Sequence, residues 1–111
     1  MKEIRVGITG ASGYIGRRLT NHFIQQGHFV NVISRSSRKF LVHKQLEIFE
    51  ADLSNPDPEV IKAFIKKVDV VYHLAAELTD HSKMLGTNVR GTQAIVNAVK
   101  GTTKVLIHLS S

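Results

Sequence analysis

Residues 9–16 read TGASGYIG, and this stretch decides how the chain folds. Apolar residues alternate through residues 4–8 before this stretch, and this alternation predicts a strand. A helical repeat of apolar residues follows the stretch. Gly10, Gly13 and Gly16 therefore stand where a strand turns into a helix. Glycine at such a turn lets the backbone come close to an anion, and the amides that open the helix then point at that anion.

The rest of the chain alternates strand patterns with helical patterns, which predicts an α/β fold with a parallel sheet and helices on both faces. The predicted strands are residues 4–8, 29–33, 46–49, 68–74 and 105–109. The predicted helices are 13–26, one that starts at the 55–58 turn and runs through 67, and one from about 81 to 100. Their apolar stripes include Ile15 and Val96. In this β-α-β context we interpret the glycine turn as a dinucleotide pyrophosphate site.

Composition limits the classes of protein that remain. With 111 residues and a hydrophobic content of 42%, the chain is expected to form a single domain, residues 1–111, with a real core. It has no cysteine and no histidine pair one helical turn apart, so we expect no metal site and a cytoplasmic location. The net charge of +6 comes from scattered basic residues, so nucleic-acid binding is not expected. We expect neither a signal peptide nor a membrane span.

Further motifs follow the glycine turn in order: Asp52-Leu53, His73-Leu74-Ala75-Ala76, Asn88-Val-x-Gly-Thr92 and Ser110-Ser111. Together they make the whole chain similar to the extended short-chain dehydrogenase/reductase superfamily, also called the NAD-dependent epimerase/dehydratase family. The resemblance implies a Rossmann-type sheet of order 3-2-1-4-5, truncated after the fifth strand, as the N-terminal portion of an NAD(P)-binding domain. Because the chain stops directly after an apolar strand, we expect it to be a fragment or truncated product of a longer protein.

The resemblance also implies the residues of the site. Asp52 would accept a hydrogen bond from the adenine amine and Leu53 would pack on the ring, although Asp52 also suits a helix N-cap or an Asx turn. His73 is expected to be a satisfied core histidine. The predicted cofactor-binding residues are Gly10, Ser12, Gly13, Tyr14, Ile15, Gly16, Ser34, Arg35, Asp52, Leu53, Leu74, Ala75, Ala76 and Thr87.

The end of the second predicted strand bears on which dinucleotide binds. Sites that prefer NAD place an acid there to hold the ribose 2′-hydroxyl, whereas this chain has Ser34 and Arg35. A guanidinium can fork onto a 2′-phosphate and stack on adenine. We therefore predict NADP, with NAD as the alternative. The other interpretation of these residues is an ordinary basic turn.

A complete catalytic set is not present in the chain. The resemblance implies a Ser or Thr, a Tyr that acts as acid and base, and a Lys, and Ser111 matches the serine. The two tyrosines, Tyr14 and Tyr72, are followed at the fourth place by Arg18 and Ala76, so neither starts a Tyr-x-x-x-Lys motif. We expect no turnover by this chain alone, because the Tyr-x-x-x-Lys pair and the substrate region are absent.

The leading interpretation is the NAD(P)-binding portion of an oxidoreductase, epimerase or dehydratase that acts on a carbonyl or hydroxyl substrate by hydride transfer. The alternative is a non-catalytic module that senses the nicotinamide cofactor. The expected partners are a nicotinamide dinucleotide and, in the longer parent, a small-molecule substrate. A homo-oligomer is a further hypothesis, because the last strand would leave a bare edge.

Overall fold

A parallel sheet of five strands organises the computed structural model, which describes residues 3–40, 42–53, 55–74 and 90–108. The strands are β1 (Arg5–Thr9), β2 (Phe29–Ser34), β3 (Leu46–Glu50), β4 (Val70–His73) and β5 (Val105–His108). Within these ranges the chain also forms the helices α1 (Tyr14–Gln25), α2 (Pro58–Ile65) and α3 (Thr92–Val99), and the 3-10 turn Ser37–Lys39. The sheet order is β3-β2-β1-β4-β5, which confirms the predicted Rossmann-type fold and its strand order.

β1 lies at the centre of the sheet because it can be buried on both faces. Val6 and Ile8 on one face, and Thr9 on the other, have no exposed surface. β1 pairs in parallel with β2 and β4, so that Val6 lies opposite Val30 and Val70. Since all the strands run the same way, their carboxyl ends meet at one edge, which is where open α/β sheets bind ligands.

Local signals set the helix ends. Gly27, with a φ of +87°, follows the C-cap of α1 and ends the helix in the left-handed conformation that favours glycine. Asp57 caps α2, since its Oδ1 accepts a hydrogen bond from the Glu59 amide at 2.9 Å. Residues 81–89 of the third predicted helix lie outside the described residues. No helix that the structure describes combines the length and apolarity needed to cross a bilayer.

Apolar side chains pack on both faces of the sheet. The face beneath α1 carries a cluster of fully buried residues: Val6, Ile8, Ala11, Val30 and Val32. The opposite face packs against α2 and α3 through a larger cluster: Ile33, Leu53, Ile61, Phe64, Ile65, Val68, Val71, Ile95 and Val99. The two clusters make the sheet the middle layer of three.

Two apolar residues of the predicted helical stripes are exposed. Val96 is 41% exposed and Ile15 is 60% exposed. In α3 the buried residues are Ile95 and Val99, which share one face because they are four residues apart. In α1 the buried position beside β1 is taken by Gly16, so its neighbour Ile15 turns outward.

Gly7 provides the room in which α2 approaches the sheet. A Cβ added at Gly7 would lie 2.9 Å from Cζ of Phe64 and 3.3 Å from Cγ1 of Val68. Beside it, the buried Asn31 side chain donates from Nδ2 to the Phe64 carbonyl at 3.0 Å. The Phe64 ring therefore rests on the bare backbone of β1, and a polar side chain of β2 fixes the helix above it.

We expect Gly7→Ala to lower the free energy of unfolding by about 1–3 kcal/mol, because the new methyl group overpacks the space held by Phe64. The cost should be smaller in a Phe64→Leu background, where the ring edge is gone. Urea denaturation of the wild type, both single variants and the double variant measures this coupling. Strictly additive losses would contradict the steric explanation.

Candidate functional site

The turn between β1 and α1 holds its glycines in different roles. Gly10 has a φ of +68°, in the left-handed region that favours glycine. Its carbonyl accepts a hydrogen bond from the Gly13 amide at 3.1 Å, which closes the turn. Gly13 is the N-cap of α1 and has no side chain with which to cap the helix. The amides that follow it therefore depend on another partner at this edge.

Gly16 sets how closely α1 approaches the turn. A Cβ at Gly16 would lie 2.2 Å from the Gly10 oxygen and 2.6 Å from Cα of Ala11. Both atoms belong to the backbone, so they cannot move aside as the end of a side chain can. A Cβ at Gly13 would meet only the Gly10 oxygen, at 3.4 Å, among the described residues. Gly16 thus serves packing, whereas Gly13 leaves open space in front of the helix.

The surface at the start of α1 is both apolar and basic. Tyr14 is 75% exposed, and the Arg18 guanidinium lies 5.2 Å from the centre of its ring and donates a hydrogen bond to its hydroxyl. Arg17 Nε donates to the Ser12 carbonyl at 2.8 Å and so braces the turn. Positive charge therefore accompanies the positive end of the helix dipole, which favours an anion at this place.

β2 ends in a turn that is held by its own serines. Ser34 is buried, and its Oγ donates to the Ser36 carbonyl at 3.1 Å and accepts from the Ser36 amide at 3.3 Å. The Ser36 hydroxyl accepts a hydrogen bond from the Arg38 amide at 3.3 Å, and this bond caps the Ser37–Lys39 turn. Arg35 is exposed on the same turn. Ser34 therefore shapes the backbone that presents Arg35.

Glu50, which was not among the predicted site residues, is bound to this turn. Its Oε1 accepts a hydrogen bond from the Ser37 amide at 3.0 Å. Hydrogen bonds from the Ser37 side chain and amide lower the pKa of Glu50, and the charge of Arg38 lowers it further. An ionised carboxylate thus joins the end of β3 to the turn that follows β2.

Asp52 and Leu53 follow β3 at the same edge but face different surroundings. Asp52 is exposed, and its carbonyl accepts the Asn55 amide at 3.0 Å in a tight turn. Leu53 is 6% exposed and packs close to Gly91, where an added Cβ would lie 3.0 Å from Cβ of Leu53. Their contacts with an adenine ring stay predictions.

A chain of hydrogen bonds links β1, β4 and α3. Thr9 Oγ1 lies 2.8 Å from Nδ1 of His73, and Nε2 of His73 lies 2.9 Å from Oγ1 of Thr92. Thr9 Oγ1 also accepts the Leu74 amide at 2.9 Å. Both ring nitrogens therefore have partners, as expected for a core histidine. Because Thr9 precedes Gly10 in sequence, the chain fixes Leu74 relative to the glycine turn.

His73 is held in its neutral form. Burial lowers the pKa of His73 to about 4, and the charge of His108, whose ring centre lies 5.0 Å away, adds to the effect. A neutral imidazole has one donor and one acceptor nitrogen, which suits a position between two hydroxyl groups. Thr9 and Thr92 therefore keep their hydrogen bonds to His73 at neutral pH.

The structure brings one group of predicted residues together in the β1–α1 turn and the first turn of α1: Gly10, Ser12, Gly13, Tyr14, Ile15 and Gly16. It places a second group at the same sheet edge, after β2, β3 and β4: Ser34, Arg35, Asp52, Leu53 and Leu74. Ala75, Ala76, Thr87 and Ser111 lie outside the described residues. Sequence reasoning did not assign Thr9, Glu50 and Thr92 to the site, because strand pairing and helix placement create their contacts, although Thr9 and Thr92 stand within the quoted motifs.

Comparisons with known proteins agree with this architecture. The profile of the NAD dependent epimerase/dehydratase family matches residues 6–111. The chain is 29% identical, over 104 residues, to 3 beta-hydroxysteroid dehydrogenase/Delta 5→4-isomerase of Mycobacterium tuberculosis, covering 85% of this chain and 28% of that protein. It is 32% identical, over 114 residues, to UDP-N-acetyl-alpha-D-glucosaminuronate decarboxylase of Bacillus cytotoxicus, covering 94% of this chain and 36% of that protein.

A solved structure is also similar to this chain. The Bordetella bronchiseptica enzyme WbmH, crystallised in complex with NAD+, is similar to this chain with a TM-score of 0.77 and 25% identity. The match covers 89% of this chain and 36% of WbmH. The chain therefore spans about a third of the length of the proteins it matches.

We expect the free energy of unfolding to fall as the pH drops from 6.5 to about 4, in part because of His73. The pKa of His73 is lowered from 6.5 to about 4, so in this range the unfolded chain binds a proton that the folded chain excludes. The stability from neutral His73 is complete above pH 6.5 and is lost towards pH 4, by roughly 3 kcal/mol. Urea denaturation across this range measures the change.

The new side chain in His73→Asn does not titrate. This variant should therefore flatten the dependence of the free energy of unfolding on pH between 6.5 and about 4. The exposed His22 offers a matched control, and His22→Asn should keep the wild-type profile. An unchanged slope in His73→Asn would show that other groups cause the pH dependence.

Proposed function

Because this chain belongs to the NAD dependent epimerase/dehydratase family, we propose that it binds a nicotinamide dinucleotide as the cofactor-binding part of an oxidoreductase, epimerase or dehydratase. The observation that carries the proposal is the β1–α1 turn. There the helix begins at a glycine, and an added Cβ would touch nothing but the Gly10 oxygen among the described residues. This open space in front of the helix fits a pyrophosphate.

The proposed site binds the two phosphates through the backbone. Amides after Gly13 would donate to the phosphate oxygens, and the dipole of α1 would add partial positive charge. Arg17 would keep the turn in shape through its bond to the Ser12 carbonyl. Tyr14 and Ile15, whose side chains are largely exposed, would flank the bound nucleotide.

The adenosine end would lie over the carboxyl ends of β2 and β3. Asp52, exposed two residues after β3, would accept a hydrogen bond from the adenine amine, with Leu53 beside the ring. Arg35, exposed directly after β2, would meet the 2′ position of the ribose. The described end of β2 carries Ser34 where NAD sites carry an acid, which supports NADP over NAD.

The names of the relatives support a role in cofactor binding. One relative is named as a steroid dehydrogenase and isomerase and the other as a sugar-nucleotide decarboxylase, yet each matches most of this chain, 85% and 94% of it. A shared region between enzymes of different substrates is expected to hold the shared cofactor. The carbonyl or hydroxyl substrate is therefore proposed to bind elsewhere in a longer protein.

Hydride transfer is the chemistry that a nicotinamide dinucleotide supplies when bound. For this chain we propose that Ser111 stabilises the oxygen of the substrate and that a Tyr and a Lys from a longer parent complete proton transfer. Neither Tyr14 nor Tyr72 has a lysine four residues on. The proposed activity of the 111-residue chain is thus binding without turnover.

We expect Gly13→Ala to fold like the wild type but to bind NADPH and NADH roughly tenfold or more weakly, because the methyl group would occupy the phosphate space. Gly16→Ala is the contrasting variant and should lower stability, since its Cβ would collide with backbone. Isothermal calorimetry and thermal denaturation measure the two effects. Wild-type affinity in Gly13→Ala, or no heat from either nucleotide with the wild type, would contradict the proposed site.

We expect the wild type to bind NADPH more tightly than NADH by roughly tenfold to a hundredfold, since a charge-assisted bond to the 2′-phosphate contributes about 1.5–3 kcal/mol. Arg35→Ala should remove most of this preference and leave NADH affinity nearly unchanged. Lys62→Ala, which removes an exposed charge on α2, is the control. Equal affinities of the wild type for the two nucleotides would reject NADP as the cofactor.

A further inference from the structure

Glu50 occupies a place from which it can control the turn after β2. It is the last residue of β3 and lies in register opposite Ser34, the last residue of β2. Its carboxylate extends past the paired ends of β2 and β3 and accepts a hydrogen bond from the Ser37 amide at 3.0 Å. Ser37 lies between Arg35 and Arg38 in sequence, so the hydrogen bond fixes the middle of the segment that carries both guanidinium groups.

Core packing does not account for this contact. Glu50, Ser37 and Arg38 are all exposed, so the hydrogen bond buries no apolar surface. The turn is also closed from within, because the Phe40 amide donates to the Ser37 carbonyl at 3.2 Å. Glu50 adds a link between this turn and β3, which the hydrogen bonds within the turn and to β2 do not provide.

The charge of Glu50 is compensated where it stands. The Ser37 hydrogen bonds lower its pKa, and the positive charge of Arg38 does so as well. A carboxylate without partners near the ribose would repel a 2′-phosphate, whereas a carboxylate that accepts an amide hydrogen bond and lies in the field of an arginine repels it less. The geometry therefore suits a residue that orients the turn and does not itself contact the nucleotide.

We propose that Glu50 is a positioning residue for cofactor discrimination: by holding the Ser37 amide, it keeps the turn after β2 oriented to receive the 2′-phosphate of NADP. The inference rests on the proposed function and adds to it the residue that sets the orientation of the binding turn. It assigns Glu50 an effect on the ratio of the NADPH and NADH affinities.

The test compares Glu50→Ala, Glu50→Gln and Glu47→Ala in the 111-residue chain, with NADPH and NADH titrated into each by calorimetry. Glu50→Ala should weaken NADPH binding roughly three- to tenfold and change NADH binding by less than about twofold, since the loss equals one hydrogen bond. Glu50→Gln should restore the wild-type ratio, because its amide oxygen can still accept from Ser37. Glu47→Ala removes the same charge three residues earlier in β3 and should leave the ratio unchanged.

Equal weakening of NADPH and NADH in Glu50→Ala would mean that Glu50 supports the fold only, and tighter NADPH binding would mean that its charge opposes the phosphate. Either result overturns the inference and leaves the proposed cofactor site standing. Failure of the wild type to bind either nucleotide would overturn both. Thermal denaturation shows whether each variant is folded. If Glu50→Ala is not, the ratio of the NADPH and NADH affinities in Glu50→Gln decides: a wild-type ratio supports the inference and a shifted ratio rejects it.

Discussion

The backbone contact of Gly16 with Gly10 and Ala11 is the constraint on which the rest of the structure depends. It allows α1 to begin directly against the end of β1, so that the helix covers the apolar face of the sheet formed by residues such as Val6 and Val30. The same approach directs the first amides of α1 to the carboxyl edge of the sheet. A side chain at Gly16 would displace the helix, and the core and the candidate site would both change. Fold and function therefore share one steric requirement in this chain.

Polar side chains then join the elements that meet at that edge. His73 connects Thr9 to Thr92 and so ties β1 to α3, while Glu50 connects the end of β3 to the turn after β2. The two links differ in their surroundings. The buried histidine stays neutral because charge is costly in the interior, whereas the exposed glutamate stays ionised because the turn donates hydrogen bonds to it. Each link lies at the sheet edge where the nucleotide is proposed to bind.

Much of the fold could be predicted because its signals are local. The alternation of strand and helix patterns identified the five strands to within one or two residues at each end, and Gly27 and Asp57 mark helix ends by their own chemistry. The prediction of which apolar helix residues are covered was less reliable. Ile15 and Val96 fit a helical repeat, but the neighbouring elements buried Gly16 and Ile95 instead. A repeat gives the spacing of apolar residues, and packing against the sheet selects which of them are covered.

The amino-acid sequence by itself determined the family, the sheet order that the family implies, and the place of the glycine turn between a strand and a helix, because each of these was inferred from short motifs and local periodic patterns along the chain. Tertiary structure alone decided the partners of Thr9, Glu50 and His73. These contacts join residues that are 13 to 65 positions apart, and they arise when parallel strands align their carboxyl ends. Hydrogen bonds of this kind need particular distances and directions, and strand pairing and helix packing provide them.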